Sequence, residues 1–533
     1  MEKSVKRISF YSNFKTINYK INIIMTCKNQ NLEFWIPFSM LFTLVFLTSC
    51  KPTNKGSAVV FKPIEEIKIS YTLPVDVPVD ATEEELAVFA WQEFFALNWK
   101  SSYGKDNLRT TPDTSWEYTS DTGENFLSVW ETYIHRSELR PANGKRTKDL
   151  SKGQPFYTFV DSTSVNVKNP VKLENYFNVL DEDNEIGSAY VFAHKNEFEV
   201  LYAAKTNLVE YNYLKNNFPT DKDLYKAIDK SNDTTAFRSR LRQLSQKQMC
   251  DSDENTNNGY VCLPCSKDTS NEGAIEIKLA FRELDPSKDI PSRYMIKEAV
   301  YFKDSVIGNK TYSNAYVKQF ALIGMHIIRK TQNHPTFVFA SWEQVDERNN
   351  DIQTIGIDKV TVDGEKYRDV DPHRLNPAIE RVIPETIQKV NNRVKNMIAQ
   401  NSSNSKWQYY QLIGVQGTPI DYNDRTSDNN YFMANYVIES DLKLTNFHGS
   451  FGDPFNTKIK NTIYEGKEFN MGGCMGCHGQ GQTTFGTDFS FLLDSGAGKP
   501  VIRPDPYLTF DQALIAAQSK KIKALIRELD KEQ

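Results

Sequence analysis

The sequence predicts an α+β fold, with a large mixed domain built on a β-rich core with peripheral helices. A mostly helical or loop segment follows it at the C-terminus. Three observations predict this. FEVLYAAK (198–205) and AIEIKLAF (274–281) have strand composition with partial alternation. AYVKQFALIGMHIIRK and TFVFASWE, within 315–343, flank the turn-prone Gln332-Asn333-His334-Pro335, the pattern of a hairpin. Apolar residues also recur at helical spacing in two well-marked places.

The first of these helices follows Thr82, which with Glu85 makes a capping-box pattern. Leu86, Phe89, Ala90, Phe94 and Leu97 then give it one face to pack into a core. PFYTFV (155–160) reads as a strand, and the polar stretch near 221–248 as helical. A second helix takes Pro384 in its first turn, with Ile387, Val390, Val394 and Met397 on one face. QYYQLIGVQG (408–417) reads as a strand, and the tail from Asp511 as a charged amphipathic helix. The Asn/Asp-rich tracts 251–259 and 421–430 read as loops. DSDENTNNG loosely echoes a calcium loop but lacks its sixth-position Gly and closing Glu.

The chain of 533 residues is 39% hydrophobic and 25% charged, which is ample for a packed core. Its net charge of -4 excludes the basic character of a nucleic-acid binder. From Trp35 to Leu47 runs WIPFSMLFTLVFL, too short for a membrane span and suited to the core of a signal peptide. It ends in Leu47-Thr48-Ser49-Cys50, which resembles a bacterial lipobox and makes Cys50 the expected site of lipidation. Met25 is the better start, because the segment before the apolar core is otherwise long for a signal peptide. Residues 1–50 are thus expected to be a lipoprotein signal peptide and 51–78 a flexible tether. Residues 79–445 are expected to form the large domain, and 446–533 a cofactor-attachment segment packed on it. Lys51 and Pro52 do not resemble the Asp that retains lipoproteins at an inner membrane. The expected location is therefore the outer membrane facing the periplasm, or the cell surface.

The sharpest chemical signal is Cys474-Met475-Gly476-Cys477-His478. Two thiols three residues apart reach the two vinyl groups on one edge of a porphyrin, and the adjacent His places an imidazole nitrogen at the iron. The motif therefore predicts one covalent haem c, bound by Cys474 and Cys477, with His478 as the proximal ligand. The competing reading pairs these thiols with Cys262 and Cys265 around zinc. It leaves His478 unexplained and needs reduced thiolates in an oxidising envelope. In that compartment one disulfide is expected among Cys250, Cys262 and Cys265, with one thiol left over. No Met follows Met475, so the distal ligand comes from upstream or is absent. His448, His326, His334, Met433 and Met471 are the candidates. Met471 lies too close in sequence to cross easily to the other haem face.

These residues resemble a family of large bacterial "cytochrome c family" lipoproteins with a single haem near the C-terminus. The likeness runs from about residue 85 to 492. It is carried by AWQEFFALNW (90–99), VWETY (129–133), EIKLAFREL (276–284), FALIGMHIIRKT (320–331), ASWEQVDE (340–347), NTIYEGKEFNMGGCMGCHG (461–479) and GTDFSFLL (486–493). In that family a His often follows the Glu of the Trp-Glu segment. Gln344 stands there in this chain, so no role carries over to it. The resemblance implies haem binding and electron transfer and supplies no substrate.

A second constellation lies in the strands. Glu276 and Lys278 alternate onto one face, His326 sits in the hairpin, and Glu343 can come near it across the turn. Such groups in apolar strands suggest a polar pocket around haem propionates or a substrate, or a buried salt-bridge network. Three functions stay open. One is an envelope electron carrier with a redox-partner protein. Another is a haem enzyme of peroxidase or oxygenase type acting on a small molecule. The third is a haem-based sensor or binding lipoprotein.

Overall fold

The structure is a computed structural model. It describes residues 66–120, 125–158, 171–183, 200–231, 234–244, 249–250, 256–287, 289–307, 310–347, 361–362, 365–366, 383–419, 433–435, 437–438, 462–469 and 471–493. The signal segment with Cys50, most of the tether, the 421–430 loop, His448 and the tail from Asp511 lie outside them.

Helix α1, Glu83–Asn98, starts at the capping box: Glu85 N–H donates to Thr82 Oγ1, and Thr82 N–H donates to Glu85 Oε2. The expectation of a single packed face is too modest for it. Leu86, Val88, Phe89, Trp91, Phe94 and Phe95 are all buried, so α1 is sunk into the core on nearly every side. Helix α5, Glu385–Asn401, lies against it with Ile387, Val390, Val394 and Ile398 buried. Trp91 Nε1 donates to Asn391 Oδ1 at 3.0 Å, which ties the two helices together. Pro384 stands at the N-cap of α5 rather than inside its first turn.

The sheet is antiparallel throughout. Its strands are β1 (Ile134–His135), β2 (Glu182–Asp183), β3 (Leu201–Thr206), β4 (Ile275–Arg282), β5 (Ile296–Ile307), β6 (Lys310–Arg329), β7 (Val338–Gln344) and β8 (Tyr410–Gln416). They lie in the order β1-β3-β4-β6-β7-β8, with β2 paired to β3 and β5 to the first half of β6. The expected 315–343 hairpin is therefore present as β6 and β7, and it occupies the middle of the sheet. Residues 155–158, expected as part of a strand, are irregular. Pro155 cannot donate to a ladder, and Phe156 N–H is instead taken by Glu138 Oε1 at 2.7 Å.

Register assigns each side chain to a face. Ile277, Leu279, Met325, Ile327, Ala340 and Trp342 point toward α1 and α5 and make the main apolar core. Thr206, Glu276, Lys278, His326, Ile328, Phe339, Ser341 and Gln416 point to the other face.

Beyond β3 come helices α2 (Leu208–Asn217), α3 (Asp221–Ser231) and α4 (Thr234–Gln243). The C-terminal segment adds a two-stranded ribbon, β9 (Thr462–Tyr464) and β10 (Lys467–Phe469), and helix α6 (Gly473–Gln480). One apolar cluster holds Phe337 and Phe339 of the hairpin with Met433, Met475, Phe489 and Leu493. The described residues, which run from 66 to 493, belong to one compact unit.

Candidate functional site

Helix α6 carries Cys474, Cys477 and His478 and lies on the polar face of the sheet. Met475 N–H donates to Gln416 Oε1 of β8 at 2.9 Å, and Thr462 Oγ1 of β9 donates to the Met475 carbonyl at 3.1 Å. Gly476 is needed for steric reasons, since a Cβ there would lie 2.1 Å from the Met471 carbonyl oxygen. The backbone folds back on itself under the motif, and Cys-Met-Gly-Cys-His tolerates only the smallest residue in its middle slot.

His478 is half-buried between Phe339 of β7, at 5.1 Å between ring centres, and Phe491, at 4.5 Å. Its Nδ1 lies 2.8 Å from the Phe489 carbonyl oxygen. A carbonyl can only accept, so Nδ1 carries the hydrogen and Nε2 keeps the lone pair. Burial depresses the imidazole to about 4, the charges of His326 and Lys278 add to that, and the Phe489 carbonyl opposes it. The ring is neutral at physiological pH.

The carbonyl of Phe489 is held in place by an unusual turn. Gly486, Asp488 and Phe489 have φ of 70°, 56° and 70°. Two non-glycine residues in the left-handed region need anchoring from outside. Asp488 Oδ2 accepts from Leu263 N–H at 2.7 Å and from the fully buried Lys330 ammonium. Lys330 Nζ also lies 3.8 Å from Cys262 Sγ. Thr487 N–H donates to the Gly481 carbonyl at 2.8 Å.

The strand constellation falls on this same face. Lys278, His326 and Ser341 stand side by side across β4, β6 and β7, and Glu343 pairs with Gly324 one row away. Lys278 and His326 are half-buried, whereas Glu276 and Glu343 are buried. Residues 437–438 cross the face over Gly324, where a Cβ would come 2.7 Å from Val437 Cγ2. Lys278 and His326 therefore lie between that crossing and α6.

The other distal candidates are placed as follows. Met433 is fully buried in the apolar cluster that contains Cys474 and Met475. Met471 sits beneath α6 on the chain leading into it. His334 is buried at the β6–β7 turn, with Nδ1 3.7 Å from Asp76 Oδ1.

The donor set fits a covalently attached haem better than zinc. Cys265 is bonded to Cys250, so it supplies no thiolate, and Cys262 stands outside that disulfide. Neither Cys474 nor Cys477 is in a disulfide. Among the described residues no group of three or more His, Cys, Asp and Glu is arranged to hold a metal ion. A single imidazole with its Nδ1 fixed and its Nε2 available would suit a haem iron, which takes the rest of its nitrogen ligands from the porphyrin.

Two further features belong elsewhere. Ser137, His135 and Asp181 are joined in a row, at 2.9 Å from Ser137 Oγ to His135 Nδ1 and 3.0 Å from Nε2 to Asp181 Oδ1. All three residues are fully buried, and His135 caps a short helical turn, which makes this a structural device. A cavity of about 230 Å³ lined by Tyr133, Glu272 and Arg329 opens on the α1 side of the sheet.

Lys330, Asp488, Phe489 and Gln416 have parts in this site that sequence reasoning did not assign. Lys330 and Asp488 were visible as charged residues inside FALIGMHIIRKT and GTDFSFLL, but nothing in either segment says that they meet. No helix among the described residues is long and apolar enough to cross a membrane. In comparison with known proteins, no family model matches the chain, and no curated protein or solved structure is significantly similar to it.

Proposed function

We propose that the protein is a lipid-anchored c-type cytochrome of the cell envelope, with one haem bonded to Cys474 and Cys477 and ligated by His478, and that it transfers electrons to or from a partner protein. One observation carries the reading. C-M-G-C-H lies on a helix whose His478 is locked by the Phe489 carbonyl in the tautomer that leaves Nε2 as a ligand. The resemblance to monohaem lipoproteins and the lipobox at Cys50 point the same way.

Haem, when bound, supplies an iron that changes oxidation state by one electron. The chain's own residues do the rest. Phe339, Phe489 and Phe491 exclude water from around His478. The Phe489 carbonyl raises the donor strength of the imidazole through Nδ1–H. Lys278 and His326 supply donors on the sheet face that stands toward His478, and His326 is favoured over His334 and Met433 as a distal-side group for that reason.

The test is an optical spectrum of purified full-length protein, oxidised and reduced, with and without carbon monoxide. One covalent haem per chain is expected, lost in Cys474→Ser/Cys477→Ser. A six-coordinate spectrum that ignores carbon monoxide supports electron transfer, and its change in His326→Ala assigns the distal side. A spectrum that responds to carbon monoxide favours the haem-enzyme reading, in which Lys278, Glu343 and Glu276 line a reactive site. A protein purified without covalent haem overturns both.

A further inference from the structure

Glu210 of α2 and Glu276 of β4 bring two carboxyl groups together beside the 486–490 turn. Thr206 and Glu276 are partners across β3 and β4, and Thr206 Oγ1 donates to Glu210 Oε2 at 2.8 Å. Both glutamates are buried, at 0% and 4% exposure. Oε1 of each receives no N–H or O–H from any described residue. The groups that face the pair are Thr206 from β3, Ile328 from β6, and Asp488 and Ser490 from the turn. Asp488 adds negative charge, and Lys330 is already bound to it. Two ionised carboxylates side by side with no cation of their own are not tolerated in a protein interior. The pair must hold a proton, and it titrates as a unit.

Its position relates it to the site. Glu276, Ile328 and Phe339 stand side by side on three adjacent strands. At roughly 4.8 Å per strand, Glu276 is about 10 Å from Phe339, whose ring touches His478. Ser490 follows Phe489, the residue whose carbonyl holds His478. Charge on the pair and charge at the site therefore act on each other through buried protein, with little screening.

We infer that Glu210 and Glu276 form a proton-exchanging pair that binds a proton when an electron reaches the site of His478, so that the protein moves electrons and protons together. This rests on the haem reading above. The balance is one electron from a one-electron donor protein and one proton from solvent, which forms an O–H bond on the pair. When the electron leaves for an acceptor, that proton returns to solvent. Burial pushes both carboxyls up; the charge of Glu276 adds to the rise at Glu210, and Glu276 reaches about 7 with the charge of Asp488 adding and hydrogen bonds to Ser490 and Glu210 opposing, which places the exchange near neutral pH.

The experiment is a redox titration of the loaded full-length protein from pH 5 to pH 9, for wild type, Glu276→Gln and Glu210→Gln. The wild-type midpoint potential falls as pH rises through neutrality, and each variant flattens that dependence. A pH-independent wild-type potential, or variants that keep its slope, overturns the proposal. Where a variant fails to fold, the wild-type redox-difference infrared spectrum decides. A carboxylic-acid carbonyl band that shifts in D2O is expected, and its absence overturns the proposal. Failure of the haem reading shows separately, as a protein without covalent haem.

Discussion

At the scale of single residues, burial of charge dominates this protein. Glu93 of α1 is fully buried, and burial raises its carboxyl to about 7, with Arg329 beside it pulling the other way and Asp76 adding to the rise. The sign follows from proton counting. Between about pH 4.5 and 7 the folded chain keeps a proton on Glu93 that the unfolded chain has released. Stability from this group therefore falls as pH rises through that window, by on the order of 3 kcal/mol in total. Glu93→Gln keeps the size and removes the titration. Its melting temperature relative to wild type is expected to be distinctly higher at pH 8 than at pH 5. A difference between the two proteins that is constant with pH would refute this. Glu93 reads in the sequence as one more polar position on an amphipathic helix. Only the extra burial of α1 makes its protonation matter.

At the scale of elements, close backbone approach does what side chains do elsewhere. α6 packs on Met471 so tightly that Gly476→Ala forces its Cβ to 2.1 Å from a backbone oxygen. Backbone cannot rotate away, so the helix must shift, at a cost of about 3 kcal/mol or more. That movement swings His478 relative to Phe489. Gly476→Ala is expected to lower the unfolding midpoint and, in the loaded protein, to shift the absorption bands. An unchanged midpoint together with an unchanged spectrum would show that the loop can give way. Much at this scale was legible beforehand. The capping box, the β6–β7 hairpin, β4, β8 and α5 could be read from periodicity and turn residues. The strand expected over 155–160 fails across its described part, 155–158, because composition favours it and nothing local reveals Glu138 waiting for Phe156 N–H. The site was legible in part. C-M-G-C-H and the alternation of Glu276 with Lys278 are short-range patterns. The Lys330–Asp488 contact joins residues 158 apart, and no periodicity encodes that.

At the scale of the whole molecule, the sheet separates two environments. One face meets α1 and α5 and is largely apolar, with the Glu93–Arg329 pair buried in it; the other carries Lys278, His326 and Glu276 and receives α6. Segments expected as a large domain and an attached one share the cluster of Phe337, Phe339, Met475 and Phe489. The Cys250–Cys265 disulfide closes a loop of 15 residues beside Lys330 and contributes about 3 kcal/mol. Cys250→Ser is expected to lose roughly that amount in denaturant unfolding under oxidising conditions. No loss would mean that the bridge does not form in the mature protein.

The burial of Cys474, at 8% exposure, sets an order of events. On the haem reading, its thiol must be modified while the chain is still open, since the folded sheet and α6 close over it. Residues 474–478 lie near the end of a long chain, yet they complete a core begun at Ile134. On that reading the order matters, because packing before attachment buries Cys474 and closes its thiol off. On the same reading, Cys474→Ser/Cys477→Ser is expected to be cut by protease where the loaded wild type resists. Equal resistance of the two would uncouple assembly from loading.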